Sequence, residues 1–244
     1  MHACRRSIPA VSDLAPLLEV SGLNAGYGRS QVLFDLSLAV PATGAVTILG
    51  RNGAGKTTLL KTIAGEIRPM SGHIRLGGDD VTAQPPEQRA RLGIGHVPQE
   101  HAIFARMSVR ENLLLGAGAS PDRHAIEEML EFFPKLSKRL EQTAATLSGG
   151  ERKMLAISRA LLGKPRVLLL DEPTEGVWIG VIEEIAERLV ELSRRMSVVI
   201  VEQHVELALR VAQTAYVVDR GTIALQGAAD AVRDDPALLR YLTP

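Results

Sequence analysis

The chain has 244 residues, 45% of them hydrophobic and 23% charged, enough to bury the core of one large α/β domain. Its 28 Lys and Arg balance 28 Asp and Glu, so no global field draws it onto nucleic acid or an anionic lipid surface. No apolar run approaches the ~20 residues that span a bilayer, and the single cysteine, Cys4, excludes an internal disulfide or a cysteine zinc cluster and fits a reducing compartment.

Residues 1–16 carry Arg5 and Arg6 ahead of a Pro-interrupted stretch without the apolar centre of a secretion signal, and are expected to form a disordered extension. From residue 17 to 244 one domain is expected. AVTIL at 45–49, GIGHV at 93–97, RVLLLD at 166–171, SVVIVE at 197–202 and AYVVD at 215–219 are short, β-branched or Leu-rich and bounded by turn formers, as buried parallel strands are. Between about residues 100 and 163 the strand pattern gives way to helical periodicity in ENLLL, AIEEMLEFF and ERKMLAISRALL. This stretch is expected to be a helical subdomain inserted in the α/β core.

The first strand runs directly into GRNGAGKTT, which contains G-x-x-x-x-G-K-T from Gly50 to Thr57 and continues as a helix. Gly50, Gly53 and Gly55 let the backbone turn tightly, so that consecutive N–H groups converge on phosphate oxygens at the positive end of the helix. Asn52 and Ala54 complete this nucleotide-binding loop. Lys56 adds a mobile ammonium for the β- and γ-phosphates, Thr57 a hydroxyl for Mg²⁺, and Thr58 a second hydroxyl for phosphate. A chance Gly-rich turn would not need both the strand before and the helix after.

A phosphate loop needs a carboxylate to hold the metal. RVLLLDEP supplies Asp171 at the end of an apolar strand, the edge where α/β sheets bind ligands. Asp171 is assigned to Mg²⁺ and Glu172 to polarising the attacking water. Two solvated acids at a strand end are the plainer alternative, which Pro173 disfavours by ending the strand at once.

LSGGE at 147–151, heading ERKMLAISRALL, resembles the signature motif of ABC-transporter nucleotide-binding domains. Ser148, Gly149 and Gly150 open a helix and make a second anion site, although a plain Ser cap would read the same way. The resemblance covers about residues 17–243. It implies a phosphate-loop core with an N-terminal antiparallel β portion and the inserted helices. It also implies ATP and Mg²⁺ as ligands, and two ATPase domains facing head to tail so that Ser148 to Glu151 act on the partner's nucleotide. Tyr27 in GYG is similar to the aromatic that stacks on adenine. Gln99 in HVPQE is similar to the residue that touches Mg²⁺ or attacking water and joins the core to the helices. By resemblance, then, Glu172, Gln203 and Gln99 serve hydrolysis, and Thr57, Gln99 and Asp171 serve the metal.

Within the family, GRNGAGKTTLLKTIAG, HVPQEHAIFARMSVRENL, DEPTEG and VEQHVELAL are similar to the smaller ATPase subunit of branched-chain amino acid importers and to its urea and short-amide counterparts. That implies a peripheral subunit at the cytoplasmic face of the inner membrane. Its partners would be permease subunits and a second ATPase subunit, alike or different, with a periplasmic solute-binding protein acting indirectly and no nucleic acid. An exporter ATPase is an alternative reading. A soluble ABC ATPase of DNA repair or ribosomes would bring a coiled-coil insertion, zinc cysteines or a second cassette, and a small-molecule kinase would lack LSGGE.

Two departures stand out. Trp178, in TEGVWIG, takes a place where the family often has Asp. After SVVIVE, alignment on Glu202 puts Gln203 at the γ-phosphate switch position and displaces the family's histidine by one, to His204. An extended chain would point His204 away from the phosphate, whereas a sharp turn into the next helix would undo that difference.

Overall fold

The first two strands, LEVSGLNAGY and SQVLFDLSLAV, mix buried and exposed positions, whereas VLLLD and SVVIV are buried throughout, and the two kinds lie in different sheets. The structure, a computed structural model, describes residues 15–118 and 123–242. Cys4 and most of the proposed 1–16 extension therefore lie outside the described residues. Strands β1 (Leu18–Tyr27), β2 (Ser30–Val40), β3 (Gly44–Leu49), helix α1 (Lys56–Ala64), strands β4 (Ser71–Leu76) and β5 (Asp79–Asp80), helix α2 (Pro86–Leu92) and strand β6 (Ile94–Val97) follow in order. Helices α3 (Val109–Ala117), α4 (Arg123–Phe132), α5 (Pro134–Ser137) and α6 (Gly149–Leu162) come next. Then β7 (Val167–Asp171), α7 (Ile179–Ser193), β8 (Ser197–Val201), α8 (Val205–Val211), β9 (Thr214–Asp219), β10 (Thr222–Ala228), α9 (Ala229–Arg233) and α10 (Leu238–Leu242) complete the chain.

The smaller sheet is antiparallel, in the order β2-β1-β4-β5; the larger runs β10-β9-β3-β8-β7-β6. In the larger sheet β3 pairs in parallel with both β8 and β9, and β7 with both β6 and β8; only β10 is antiparallel. Parallel strands covered on both faces carry unbroken apolar runs, and β7 and β8 are buried at every position. Side chains alternate between the faces: Leu169 and Val199 join α1 and the smaller sheet in one core, while Leu168, Leu170, Val198 and Ile200 join the core beneath α6 and α7. Each such fully buried side chain contributes about 1.5–3 kcal/mol. The polar Thr47 in β3 is satisfied by donating to the Ile200 carbonyl at 3.1 Å.

The segment between β6 and β7 holds α3 to α6, with one isolated bridge between Ser108 and Thr143. Val109, Leu113, Phe133 and Leu136 of this segment share one apolar cluster with Leu168 and Leu170 of β7. The inserted helices are thus welded onto the sheet through α6. At the opposite end of α1, the buried Arg89 donates to the carbonyls of Thr62 and Ile63 at 2.7 and 2.8 Å, and also to those of Thr82 and Gln84. A guanidinium on the last carbonyls of α1 complements the negative end of the helix and fixes the helix that carries the phosphate loop.

Candidate functional site: a phosphate loop facing two carboxylates

The loop from β3 to α1 is shaped by close approach. Gly50 has φ 148°, and a Cβ there would meet the Val218 carbonyl at 2.3 Å, so β9 passes where no side chain fits. Gly55, at φ 109°, opens α1 in the left-handed conformation. Ala54 is buried, and its carbonyl accepts from Gly221 N–H at 2.9 Å, tying the loop to the β9–β10 turn. Lys56 curls back so that Nζ donates to the carbonyls of Gly50 and Arg51 at 2.7 and 2.9 Å. Burial lowers its pKa, opposed by the charges of Glu172 and Asp171.

A cavity of about 440 Å³ lies over the loop. Val32, Asn52, Gly53, Gly55, Lys56, Thr57 and Thr58 line one side, and Gln99, Glu172, Glu175 and Gln203 the other. Asp171 closes β7 beneath it. Both Asp171 carboxylate oxygens are buried without a hydrogen-bond partner; the Thr57 hydroxyl is close enough to favour the charged form without making a bond of ordinary geometry. Burial nevertheless raises the Asp171 pKa, against Thr57 and the charges of His96, Lys56 and Lys61. Orphaned carboxylate oxygens beside a threonine hydroxyl fit a hard divalent cation such as Mg²⁺. No group of three or more His, Cys, Asp or Glu suited to a metal exists among the described residues.

Glu172 turns abruptly. Its φ is 50°, a conformation costing about 1–3 kcal/mol for a non-glycine residue and concentrated at functional sites. Its N–H donates to the Val201 carbonyl at 2.9 Å. One carboxylate oxygen accepts from Gln99 Nε2 and the other from Gln203 Nε2, each at 2.9 Å, while Gln99 Nε2 also reaches Glu175 at 2.8 Å. Burial raises the Glu172 pKa, the Gln203 hydrogen bond lowers it, and Glu175 and Asp171 raise it further. The carboxylate is therefore held in place and made a better proton acceptor than a solvated glutamate.

His204 stands elsewhere. It lines a second cavity with Ile179, Ile182, Glu183 and Arg210, which shares Gln203 with the first. Glu202, to which sequence reasoning gave no role, is buried and accepts from Thr174 N–H and Oγ1 at 2.9 and 2.6 Å and from Gln203 N–H at 3.1 Å. It pins the turn after β7 to the turn after β8. Glu175 and Lys153 also went unassigned, because their partners lie far away in sequence.

Tyr27 ends β1 and is 52% exposed, outside the residues lining the cavity. Ser148 and Glu151 form a complete capping box: Ser148 Oγ accepts from Glu151 N–H at 3.2 Å, and the Glu151 carboxylate accepts from Ser148 N–H at 2.9 Å. None of Ser148, Gly149, Gly150 and Glu151 lines the phosphate-loop cavity of its own chain. Trp178 precedes α7 and is 75% exposed, its ring lying over Gly180, where a Cβ would meet it at 2.1 Å. Phe104 is 51% exposed and stacks on the Arg159 guanidinium, 4.9 Å from the ring centre.

Residues 33–175 match the ABC transporter family model. The chain is 40% identical, over 90% of its length and 96% of the relative's, to the high-affinity branched-chain amino acid transport ATP-binding protein BraG of Pseudomonas aeruginosa. It is 37% identical to the probable branched-chain amino acid transport ATP-binding protein LivF of Archaeoglobus fulgidus, over 88% and 93% of the two chains. It is also 36% identical, over 91% and 95%, to the lipopolysaccharide export system ATP-binding protein LptB of Escherichia coli. A solved nucleotide-free ATP-binding cassette of an ABC transporter superposes with TM-score 0.83 at 27% identity, covering 94% of this chain and 99% of that one. With a phosphate loop, a strand-end carboxylate pair and the signature helix in one fold, the chain belongs to the ABC transporter family, as an ATP-hydrolysing nucleotide-binding cassette.

Proposed function

We propose that this cassette drives an importer for branched-chain or other hydrophobic amino acids, with Glu172 as the residue that polarises the attacking water. The observation supporting the catalytic assignment is the Glu172 carboxylate, bracketed by Gln99 and Gln203 at the mouth of the phosphate-loop cavity. The 50–58 loop and Lys56 bind the triphosphate, with Tyr27 reserved for the adenine. Thr57, Asp171 and Gln99 would hold Mg²⁺, which supplies charge neutralisation at the β- and γ-phosphate oxygens. Gln99 and Gln203 orient Glu172, and Glu172 takes the proton of the water that attacks the γ-phosphorus as the bond from that phosphorus to the β-phosphate oxygen breaks, releasing ADP and phosphate.

Ser148 to Glu151 act on the nucleotide of a second ATPase subunit, a reading supported by none of them lining the chain's own phosphate-loop cavity. No described helix is long and apolar enough to cross a membrane, and the relatives are ATP-binding subunits of transport systems. The subunit accordingly works peripherally, against permease subunits at the cytoplasmic face of the inner membrane, with a periplasmic binding protein delivering solute. Uptake of labelled leucine and of labelled urea, compared in cells with and without this chain, tests the reading. Loss of leucine uptake supports it; loss of urea uptake alone would move the assignment to short amides. Similarity to LptB makes lipopolysaccharide export the second reading, expected to appear as an envelope defect with both uptakes intact.

A further inference from the structure

One cation of the inserted helices reaches the back of the hydrolytic site. Lys153 lies on the signature helix α6, and its Nζ donates to the Glu172 carbonyl at 2.8 Å and to the Gln99 carbonyl at 3.4 Å. The side chain is half-buried, and its ammonium faces the charges of Glu175, Glu202, Glu172 and Asp171. Two of its contacts are to backbone, at the residue with φ 50° and at the residue where the chain leaves β6 for the inserted helices. A carbonyl cannot be moved without moving the peptide plane, and a left-handed glutamate persists only while its surroundings hold it.

We propose that Lys153 is a positioning residue for the proposed hydrolysis step: it holds the Glu172 and Gln99 backbones against α6 and so couples the place of the signature helix to the aim of the Glu172 carboxylate. The inference rests on the assignment of Glu172 above. A hydrogen bond from a charged donor is stronger than a neutral one, and here it ties α6 to the segments that follow β6 and β7. A shift of α6 would pull on both carbonyls at once and move the Glu172 carboxylate relative to Gln99 and Gln203, its donors at Oε2 and Oε1. Arginine keeps the charge and donors at this place, although its fork differs from an ammonium; methionine keeps the stem and loses both.

The experiment compares the full-length parent, Lys153→Met and Lys153→Arg, with MgATP as the probe and turnover, KM for ATP and thermal midpoint as readouts. The expected result is a kcat about tenfold or more lower in Lys153→Met, with KM within about twofold, an unchanged midpoint, and partial recovery in Lys153→Arg. Parental turnover in Lys153→Met would overturn the proposal. A parallel fall in nucleotide binding and midpoint would also overturn it, by showing a merely structural lysine. Glu172→Gln, run alongside, separates the two layers: if it hydrolyses ATP like the parent, the role of Glu172 fails, whereas a dead Glu172→Gln beside a fully active Lys153→Met fails Lys153 alone.

Discussion

Gln203 Nε2 donates to Glu172 Oε1 at 2.9 Å, while its neighbour His204 opens onto a different cavity. Glu202 sets this geometry by accepting from Gln203 N–H as the chain leaves β8, so consecutive side chains diverge before α8 begins. Gln203→Ala is expected to lower kcat about tenfold or more, the value of a hydrogen bond to a charged group. His204→Ala should stay within about twofold. Because an amide does not titrate, parental turnover should show no limb attributable to a histidine at this position. Turnover measured with the partner subunits checks both variants, and the reverse order of effects would assign the switch to His204.

Glu172→Gln keeps the shape of the side chain and loses the charge. Hydrolysis should fall about 10²–10⁴-fold while ATP affinity survives, since the 50–58 loop is untouched. Nucleotide that binds without being cleaved should accumulate the paired state, visible by sedimentation in MgATP. A variant that hydrolyses at the parental rate would remove Glu172 from the proton-accepting role.

The five parallel strands of the larger sheet were legible from sequence, most plainly where burial on both faces leaves continuous apolar runs, as in VLLLD and SVVIV. The smaller sheet was expected only through family resemblance. In β1 the alternation is broken by register shifts between Val20 and Gly26, so no clean period of two survives in LEVSGLNAGY. β10 hides for the same reason, with its shift between Ile223 and Leu225. At the site, Asp171 and Glu172 could be read because a strand end fixes where they emerge. Lys153 and Glu202 could not, since they bond residues 19 and 28 positions away, largely through backbone groups that leave no mark on residue type.

Asp171→Asn should make the ligand-free protein more stable and the enzyme worse. Burial raises the Asp171 pKa, so the native state holds the proton more tightly than the unfolded chain, and its contribution to stability falls as pH rises through the native value. Replacing the charge by a neutral amide removes that loss. The gain should therefore be absent near pH 3, below the range where the unfolded carboxylate titrates, and present at pH 8. The thermal midpoint increase on adding MgATP should shrink at the same time. A lower ligand-free midpoint in Asp171→Asn at pH 8 would contradict the unpartnered state of this carboxylate.

Lys56→Ala removes the ammonium that lines the phosphate-loop cavity. It also frees the Gly50 and Arg51 carbonyls that the ammonium now holds. ATP affinity is expected to fall about tenfold or more, with the midpoint of the ligand-free protein within a few degrees of the parent. Unchanged binding in a nucleotide titration would reassign the loop.

Phe104 tests whether a permease docks on the inserted helices. Its N–H donates to Asn112 Oδ1 at 2.8 Å and its carbonyl accepts from Asn112 Nδ2 at 3.0 Å, so a buried asparagine of α3 fixes the backbone while half the ring remains exposed. The ring lies on the guanidinium of Arg159, which belongs to α6, the helix that also carries Lys153. An aromatic held rigid yet left in solvent can bury a large area at little conformational cost. A permease segment seated there would press on α6 directly and on Gln99 through the short connection from β6. Phe104→Asp should leave ATP affinity within about twofold and lower permease-stimulated turnover about tenfold, the scale of an anchor residue. The backbone clamp by Asn112 survives the substitution, so the fold should survive as well. Stimulated and unstimulated turnover, measured with thermal midpoints, separate the outcomes: a loss confined to stimulation supports docking, and a collapse of the midpoint would show that the ring serves the core instead.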